Sequence, residues 1–285
     1  MSDADAVTEV TDGAAAPLRG TLLLDGPEIR AWAARAIENA VDAGVLSIEG
    51  IVINEGLADS YDDPIERARR YVGTAREYGP WAPVSALHGV VDPPPYLDSR
   101  RLADQPWAEG ATVRRCEPIP AEGLGQRLPE DVVGAVAEES DVAVRLGFGV
   151  LKGAILTAPT HGVVSFHHGD VRRYRGRPVG VWEFYHGESE AGVTLQQLTE
   201  TLDGGGIVTL ETVDVEDAAT WQEVEARLYA LSEGLLARGL ERLRDGAEPR
   251  SADDLGPLYT TPTARETVRL LAKNARGRAR ELLRS

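Results

Sequence analysis

Residues 20–53 read GTLLLDGPEIRAWAARAIENAVDAGVLSIEGIVI and decide the fold class. Two short apolar runs, at 21–24 and 48–53, flank a segment whose apolar residues recur at helical spacing, from Ile29 to Val41. Pro27 is typical of the first position of a helix, and Gly44 of the residue after its end. This order of strand, helix and strand predicts an α/β protein with a parallel sheet.

The same patterns extend to the end of the chain. We expect strands at 112–116, 141–148, 162–166, 192–198 and 207–213. We expect helices at 64–78, 129–138, 221–239 and 265–283, and an irregular Pro- and Gly-rich excursion at 79–106. The turn Asp25-Gly26-Pro27 lacks the glycine-rich dinucleotide fingerprint, which argues against NAD binding of the usual kind.

Composition excludes several classes of protein. The 285 residues contain one cysteine, Cys116, which excludes a disulfide framework and cysteine-based zinc sites. No spacing of His, Asp and Glu predicts a metal site. We expect no membrane span, because no run of about 18 apolar residues occurs. The acidic start of the chain has no basic or apolar signal segment, so we expect a cytoplasmic protein.

The charge is strongly acidic. The chain has 46 Asp and Glu against 30 Lys and Arg, and only Lys152 and Lys273 are lysines. An acidic, lysine-poor surface stays hydrated when salt screens other charges, which favours a halophilic protein. The alternative is an acidic protein from an organism with arginine-rich codon usage. Either way, such a surface opposes general attraction to nucleic acid.

The predicted last helix has the opposite charge. Residues 261–285 carry seven basic and two acidic side chains, which leaves a net charge of −21 on residues 1–260. One interpretation is that this helix docks on the acidic body through an apolar side formed by Val268, Leu271, Ala275 and Leu282. The other is that it contacts a polyanionic partner or a membrane surface.

Two clusters could carry chemistry. The first is Ser165-Phe166-His167-His168-Gly169-Asp170-Val171-Arg172-Arg173-Tyr174-Arg175-Gly176, directly after an apolar strand. Ligands of open α/β sheets bind beyond the carboxyl ends of strands. The second is Leu202-Asp203-Gly204-Gly205-Gly206-Ile207, between two predicted strands. It is either a hairpin turn or a place where the backbone approaches a ligand closely.

The stretch 141–240 resembles the folate-dependent formyltransferase family, which includes the glycinamide ribonucleotide, methionyl-tRNA and sugar-nucleotide N-formyltransferases. The family pattern is Asn-x-His-Pro-Ser-x-x-Pro-x-Tyr-Arg-Gly. Here Ser165 stands at the Asn place, His167 at the His place, and Tyr174-Arg175-Gly176 match the end. The family's Gly-Val-Thr strand and Leu-Asp-x-Gly turn follow as Gly192-Val193-Thr194 and Leu202-Asp203-Gly204-Gly205.

The resemblance implies a Rossmann-like formyltransferase fold with a mostly parallel sheet and a short helical C-terminal extension. We expect a flexible acidic tail at 1–19, a formyltransferase-like catalytic domain at 20–245, and a linker with the basic helix at 246–285. The implied activity moves a formyl group from 10-formyltetrahydrofolate, a co-substrate that acts without a metal, to an amine. The acceptor would be a small molecule, which could be nucleotide-linked.

The resemblance also assigns the site. His167, Asp203 and Ser165 are the implied catalytic residues. Folate would contact Leu202, Gly204, Gly205, Tyr174 and Arg175, and the acceptor would contact His168 and Asp170. The loop departs from the pattern at Ser165, at His168-Gly169, at Asp170 and at Arg172. These departures leave two alternatives open: a formyltetrahydrofolate hydrolase, and a non-catalytic folate- or nucleotide-binding protein. The acceptor and the oligomeric state are not given by the sequence.

Overall fold

The computed structural model describes residues 15–57, 79–90, 93–201, 204–251 and 254–283. The predicted helix at 64–78 lies outside the described residues, as do Leu202 and Asp203. Most of the predicted acidic tail lies outside them as well, and the first strand starts at Leu18, inside the predicted tail.

A sheet of seven strands forms the centre of the described structure. Its strand order is β7-β6-β5-β4-β1-β2-β3. The strands β1 to β5 run parallel to one another, and β6 and β7 are antiparallel to their neighbours. This confirms the predicted α/β class with a mostly parallel sheet. In chain order they are β1 Leu18–Leu24, β2 Leu46–Asn54, β3 Thr112–Cys116, β4 Val142–Arg145, β5 Val163–His167, β6 Glu190–Gln197 and β7 Gly206–Asp214.

Six α-helices are described. They are α1 Ala31–Asp42, α2 Ala82–Val90, α3 Glu130–Glu139, α4 Val181–His186, α5 Trp221–Arg244 and α6 Ala264–Leu282. Short strands also pair outside the main sheet: Glu28–Arg30 with Ser99–Arg101, Ile119–Pro120 with Gln126–Arg127, and Arg175–Gly176 with Leu258–Tyr259.

The two faces of the sheet are covered by different parts of the chain. Helices α1 and α5 cover one face, where they bury Leu22, Val144 and Val164. On the other face, α3 and the segment 148–156 bury Leu23, Ala143 and Val163. Successive strand residues point to opposite faces, and both faces are apolar. The strands therefore read as continuous apolar runs, as expected of a parallel sheet covered on both sides.

The N-terminal third departs from the prediction in two places. Helix α1 begins at Ala31 rather than Pro27, because the residues before it form the short strand Glu28–Arg30. The excursion predicted as irregular contains the helix α2, and its Ser99–Arg101 segment pairs with that short strand. The Pro and Gly residues near the strand Glu28–Arg30 and the helix α2 favour turns, so the sequence pattern did not indicate these two elements.

Strand β4 is shorter than the predicted 141–148. It ends at Arg145, since the N–H groups of Leu146 and Gly147 both bond to the carbonyl oxygen of Leu23. A Cβ at Gly147 would lie 2.4 Å from the backbone nitrogen of Asp25, so this close approach requires glycine. The chain turns away from the sheet at this point.

Helix α5 does not end near Gly239, as the sequence predicts, but continues to Arg244. A Cβ at Gly239 would lie 2.3 Å from Cδ2 of Leu195 on β6. The glycine therefore lets α5 approach the sheet closely, and the prediction mistook this packing requirement for a stop signal.

Helix α6 docks on the body of the protein, as the first interpretation predicts, but through a different face. The buried residues are Thr267, Leu270, Asn274 and Gly277, whereas Val268 and Leu282 are 67% and 78% exposed. No ion pair between described residues includes α6. The helix docks by packing and hydrogen bonds, and its charged Lys273 donates to the carbonyl oxygen of Phe184 and lies 4.5 Å from the centre of that ring.

Asn274 shows how this docking works. Its Oδ1 accepts from the backbone N–H of Trp221, the first residue of α5, at 2.9 Å, and its Nδ2 donates to Gln222 at 2.7 Å. The first N–H groups of a helix have no partner within the helix, so a side chain from outside satisfies one here. A Cβ at Gly277 would lie 1.7 Å from the carbonyl oxygen of Ala219, so the backbone of α6 touches the segment before α5 at that point.

Candidate active site

His167 is the last residue of β5 and is 8% exposed. Its Nε2 lies 2.8 Å from the carbonyl oxygen of Tyr174. Because a carbonyl only accepts, Nε2 carries the proton in this hydrogen bond. The ring nitrogen that can gain or lose a proton is therefore Nδ1. The bond also fixes the orientation of the imidazole ring, which acid–base chemistry requires.

The loop after β5 folds tightly around His167. A Cβ at Gly169 would lie 2.7 Å from the carbonyl oxygen of Tyr174 and 2.8 Å from Nε2 of His167, so only glycine fits there. The carbonyl oxygen of Gly169 accepts from Oγ1 of Thr194 on β6 at 2.8 Å. Thr194 is paired with His167 across the two strands. These contacts hold the histidine at the edge of the sheet.

A row of polar side chains lies beside His167 on the same face of the sheet. Arg145, Ser165 and Gln196 are in register on β4, β5 and β6. Nη1 of Arg145 donates to Oγ of Ser165 at 2.9 Å, and that hydroxyl is 3.3 Å from the carbonyl oxygen of Arg145. Sequence reasoning missed Arg145 and Gln196. Their only signal was a polar residue within a strand that is otherwise apolar.

His168 lies on the opposite face of the sheet from His167. Its ring centroid is 4.9 Å from Trp32 of α1 and 4.4 Å from Tyr229 of α5, and its Nε2 is buried without a hydrogen-bond partner. Burial, together with a smaller effect of the charge of His167, lowers the pKa of His168 to about 3. The structure therefore does not support the predicted contact of His168 with an acceptor.

Asp170 is buried and paired with its near neighbour Arg172. The guanidinium donates from Nε and Nη2 to the two carboxylate oxygens at 2.9 and 2.8 Å. Burial alone would raise the pKa of Asp170, but the hydrogen bonds and charge of Arg172 hold it below its ordinary value. The carboxylate is thus ionised and already bound, and its predicted contact with the acceptor stays a prediction.

Tyr174 and Arg175 contact a C-terminal segment. The Tyr174 hydroxyl donates to Glu188 at 2.8 Å, and its ring stacks on Tyr259 with centroids 5.2 Å apart. Nε of Arg175 donates to the carbonyl oxygen of Gly256 at 2.7 Å. Both side chains hold the loop after β5 in place, and their predicted contact with folate stays a prediction.

The second predicted cluster is described only in part, because Leu202 and Asp203 lie outside the described residues. Gly204 is bonded back to Thr201, three residues earlier: its N–H donates to the Thr201 carbonyl oxygen at 3.1 Å. A Cβ at Gly205 would lie 1.9 Å from the carbonyl oxygen of Gln197, so this glycine is required by the approach of the chain to β6. That requirement agrees with the turn interpretation and leaves folate binding as a prediction.

The loop after β5 and the turn after β6 leave the sheet at opposite ends of the strands. Strand β6 runs antiparallel to β5, so Thr194 lies opposite His167 while Gln197 lies opposite Val164. The turn after β6 therefore starts beside the beginning of β5, whereas the loop 168–176 starts at its end. The second cluster was predicted between two strands, and its described residues follow β6 and precede β7.

A cavity of about 600 Å³ lies beside this turn. Its walls come from residues 153–162 and 197–201. The Gly153 N–H donates to Oε1 of Glu200 at 2.8 Å, and Lys152 pairs with the same carboxylate at 3.2 Å. Leu156 belongs to the core layer on the face that carries Ser165 and His167. The cavity therefore opens on the same side of the sheet as the polar row.

Within the described ranges, no group of His, Cys, Asp and Glu side chains is placed to hold a metal ion. Nor does any described helix have the length and apolar character needed to cross a membrane.

Comparison with known proteins now bears on these residues. Residues 108–240 match the profile of the family described as Formyl transferase. The matched range includes β4, β5, β6, β7 and most of α5, and so both clusters. The matched stretch, a little under half of the chain, is similar to the formyltransferase family. The likeness seen in the sequence motifs is thereby confirmed at the level of the family.

This chain is 33% identical over 132 residues to the methionyl-tRNA formyltransferase of Xanthomonas axonopodis pv. citri (strain 306). The match covers 45% of this chain and 43% of the relative, so the chain spans less than half the length of that curated relative.

Solved structures of formyltransferases and of a deformylase share the fold of this chain at low sequence identity. A phosphoribosylglycinamide formyltransferase from Anaplasma phagocytophilum superposes with a TM-score of 0.51 at 17% identity, over 85% of this chain and 98% of that one. A formyltetrahydrofolate deformylase from Pseudomonas syringae pv. tomato gives a TM-score of 0.51 at 15% identity, over 85% and 66% of the two chains. At these identities the likeness shows the fold.

Proposed function

We propose that this protein transfers a formyl group from 10-formyltetrahydrofolate to the amine of a small molecule. The observation that carries the proposal is the placement of His167. It ends β5 with its ring fixed by the Tyr174 carbonyl at 2.8 Å, beside Ser165 on the same face, within the stretch 108–240 that matches the formyltransferase profile. An oriented histidine next to a hydroxyl suits acyl transfer.

The reaction needs one nucleophilic attack and one proton transfer. The amine nitrogen attacks the formyl carbon, and the C=O electron pair moves to oxygen to give a tetrahedral oxyanion. The oxyanion then collapses, the bond from carbon to folate N10 breaks, and that electron pair goes to N10. His167 relays the proton lost by the amine to N10 through Nδ1. The products are a formamide and tetrahydrofolate.

Asp203 is proposed to support His167. A carboxylate beside an imidazole favours its charged form and holds its orientation. The turn that carries Asp203 leaves the sheet at the edge opposite His167, and six residues separate Gln197 from Gly204. Asp203 itself lies outside the described residues, and its proposed role rests on the resemblance to the family motif.

Folate is proposed to bind in the 600 Å³ cavity beside the turn. The walls combine apolar residues such as Leu156 and Leu198 with backbone groups and Glu200, a mixture typical of small-molecule sites. Leu202, Gly204 and Gly205 follow the cavity wall in sequence. The formyl end of the donor would then extend along the face of the sheet toward the polar row.

The charge of the chain favours a small acceptor over a nucleic acid. Residues 1–260 carry −21, which repels a phosphate backbone. Helix α6 carries most of the arginines of residues 261–285, but it packs against α4 and the start of α5. We therefore propose a small amine.

Hydrolysis of the same donor is the second candidate, and the burial of the polar row favours it. Ser165 and Gln196 are 2% and 3% exposed. Such an enclosed row admits water more readily than a bulky amine. In that reaction water replaces the amine as nucleophile, and formate replaces the formamide as product.

Product analysis with the purified full chain tests both candidates. The protein is titrated with 10-formyltetrahydrofolate, and tetrahydrofolate, formate and formamide products are quantified with glycinamide ribonucleotide and nucleotide-linked amino sugars as acceptors. A formamide supports transfer, and formate alone supports hydrolysis. Asp203→Ala should lower turnover by roughly 10²–10⁴-fold, the usual contribution of a positioned acid or base. Absence of both folate binding and turnover overturns the proposal.

A further inference from the structure

The row formed by Arg145, Ser165 and Gln196 carries an inference that rests on the proposed function. The three residues are in register on neighbouring strands, with Ser165 in the middle. Residues paired across strands place their side chains on the same face. His167 follows two positions after Ser165 and shares that face. Ser165, the middle residue of the row, is therefore two residues along β5 from His167, a distance of roughly 7 Å.

The Ser165 hydroxyl is set up to donate a hydrogen bond. A hydroxyl has one donor and can accept twice, whereas a guanidinium only donates. Nη1 of Arg145 donates to Oγ of Ser165 at 2.9 Å, so the serine oxygen is the acceptor in that bond. Its own proton is directed at the carbonyl oxygen of Arg145 at 3.3 Å, a long hydrogen bond that a better acceptor would replace. A developing oxyanion is such an acceptor.

Gln196 supplies the complementary group. Its side chain is 3% exposed, and its Oε1 has no hydrogen-bond partner. A buried acceptor without a partner costs free energy, and such groups in native structures call for an explanation. Because Gln196 lies directly opposite Ser165, their Cβ atoms are about 5 Å apart. A nucleophile that reached Ser165 would bring a donor within range of Oε1.

We propose that Arg145, Ser165 and Gln196 act as one unit on the tetrahedral intermediate. Ser165 donates to the oxygen that receives the C=O electron pair, and Arg145 acts through Ser165 by holding and polarising its hydroxyl. Gln196 Oε1 accepts an N–H of the attacking amine, or an O–H if water attacks. No bond to these residues forms or breaks. The proton that leaves the nucleophile still passes to folate N10 through His167.

A double-variant cycle tests the coupling of Arg145 and Ser165, with turnover of 10-formyltetrahydrofolate as the readout. Loss of one oxyanion donor typically lowers kcat by about 10²–10³-fold. We expect Ser165→Ala and Arg145→Leu each to lower kcat by about 10²-fold, and the double variant by about 10²-fold as well. Losses that multiply to about 10⁴-fold would show two independent residues and overturn the coupling.

A merely structural role for Arg145 would not respond to guanidinium ion. In Arg145→Ala, we expect millimolar guanidinium chloride to restore kcat at unchanged KM for the folate, and we expect Arg145→Lys to retain part of the rate. The matched control is Arg114→Ala on β3, which loses a two-bond ion pair with Glu139 far from the row. Guanidinium should not change its rate. Absence of rescue in Arg145→Ala overturns the polarising role.

Gln196→Leu tests the acceptor half of the row. We expect kcat to fall by about tenfold, the value of roughly one hydrogen bond, while folate affinity in a titration stays unchanged. An unchanged kcat overturns the role of Gln196. His167→Ala distinguishes a failure of the row inference from a failure of the proposed function. If it loses turnover while the row variants do not, the row inference fails and the proposed function stands. If it keeps turnover, the proposed function fails first.

Discussion

His167 and His168 are neighbours in the sequence and lie in opposite environments. His167 faces the polar row, and its Nε2 is fixed by a carbonyl oxygen. His168 faces α1 and α5, where Trp32 and Tyr229 enclose it and its Nε2 has no partner. The alternation of side chains along β5 makes this division. One histidine is therefore equipped for chemistry, while the other is part of the core.

The same division holds along the neighbouring strands. Ser165 and Gln196 lie on the face of His167, whereas Phe166 and Leu195 pack toward the helices with His168. The named residues on the face of His167 are thus polar, and those on the face of His168 are apolar.

The largest expected effect separates the two histidines by activity. His167→Ala should lower turnover of 10-formyltetrahydrofolate by roughly 10²–10⁴-fold, because it removes a positioned acid or base. His168→Ala should leave the kcat of the folded protein near the wild-type value, because its ring points away from the polar row. Steady-state rates, with circular dichroism to confirm folding, decide this. Equal losses in both variants would show that the faces act together.

The second prediction reverses the order of the two histidines for stability. His168→Ala removes a ring packed between Trp32 and Tyr229, and should lower the free energy of unfolding by roughly 2–4 kcal/mol. His167→Ala should cost less, because its ring lies at the edge of the sheet. Urea unfolding measures both. The half-buried His161 gives a control, and an equal loss for His161→Ala would remove the distinction.

The third prediction concerns the pH dependence of stability. Burial lowers the pKa of His168 from 6.5 to about 3, so the unfolded chain binds this proton first. The free energy of unfolding should therefore fall as pH falls from 6.5 toward 3. Glu183 acts in the opposite sense between pH 7 and 4.5, because burial raises its pKa to about 7.

The variant His168→Phe keeps a ring in place without the titrating group. Urea unfolding at pH 7 and pH 5 should show a smaller loss of stability in this variant than in the wild type, while the Glu183 contribution cancels in the comparison. The same loss in both proteins would mean that His168 takes up its proton within the folded state.

The fourth prediction extends the contrast to helix α6. Removal of residues 261–285 deletes the contacts of Asn274 and Gly277 at the start of α5. It retains the strand pair between Leu258–Tyr259 and Arg175–Gly176. The thermal midpoint should fall, and folate affinity should remain. An unchanged melt would mean that α6 does not dock in solution, and lost affinity would place it at the site.

The smallest expected effect concerns the whole surface. We propose that the acidic, lysine-poor composition suits high salt, and melts from 0.1 to about 3 M KCl should show a rising Tm as self-repulsion is screened. Residues 1–260 carry −21, so repulsion outweighs exposed pairs such as Arg19 with Asp141. A flat or falling Tm contradicts the halophilic interpretation.

Much of the sheet could be predicted from the sequence, because its strands are continuous apolar runs separated by turn residues. Strand β3 and helix α3 lie where the patterns place them, within one residue. The sequence motifs also place His167 at a strand end. These features depend on local spacing, which a single sequence retains.

Features that depend on distant contacts were missed. Arg145 lies in an apolar strand, and only the register with Ser165 on β5 shows its partner. Helix α6 docks through Asn274 because the first N–H of α5 needs an acceptor, a requirement invisible in the sequence of α6 itself. Gly239 serves the packing of α5 on β6, which the sequence of the helix alone could not indicate.

The pairing of Arg175–Gly176 with Leu258–Tyr259 has a consequence for how the molecule is made. A Cβ at Gly176 would lie 2.0 Å from the carbonyl oxygen of Tyr259, so the two strands touch without a side chain between them. During synthesis, Arg175–Gly176 leave the ribosome some 80 residues before Leu258–Tyr259, and at roughly 5–20 residues per second this is a delay of several seconds. All seven strands of the main sheet end at or before Asp214. The ribosome therefore delivers the whole sheet before the segment that packs against the loop of Tyr174.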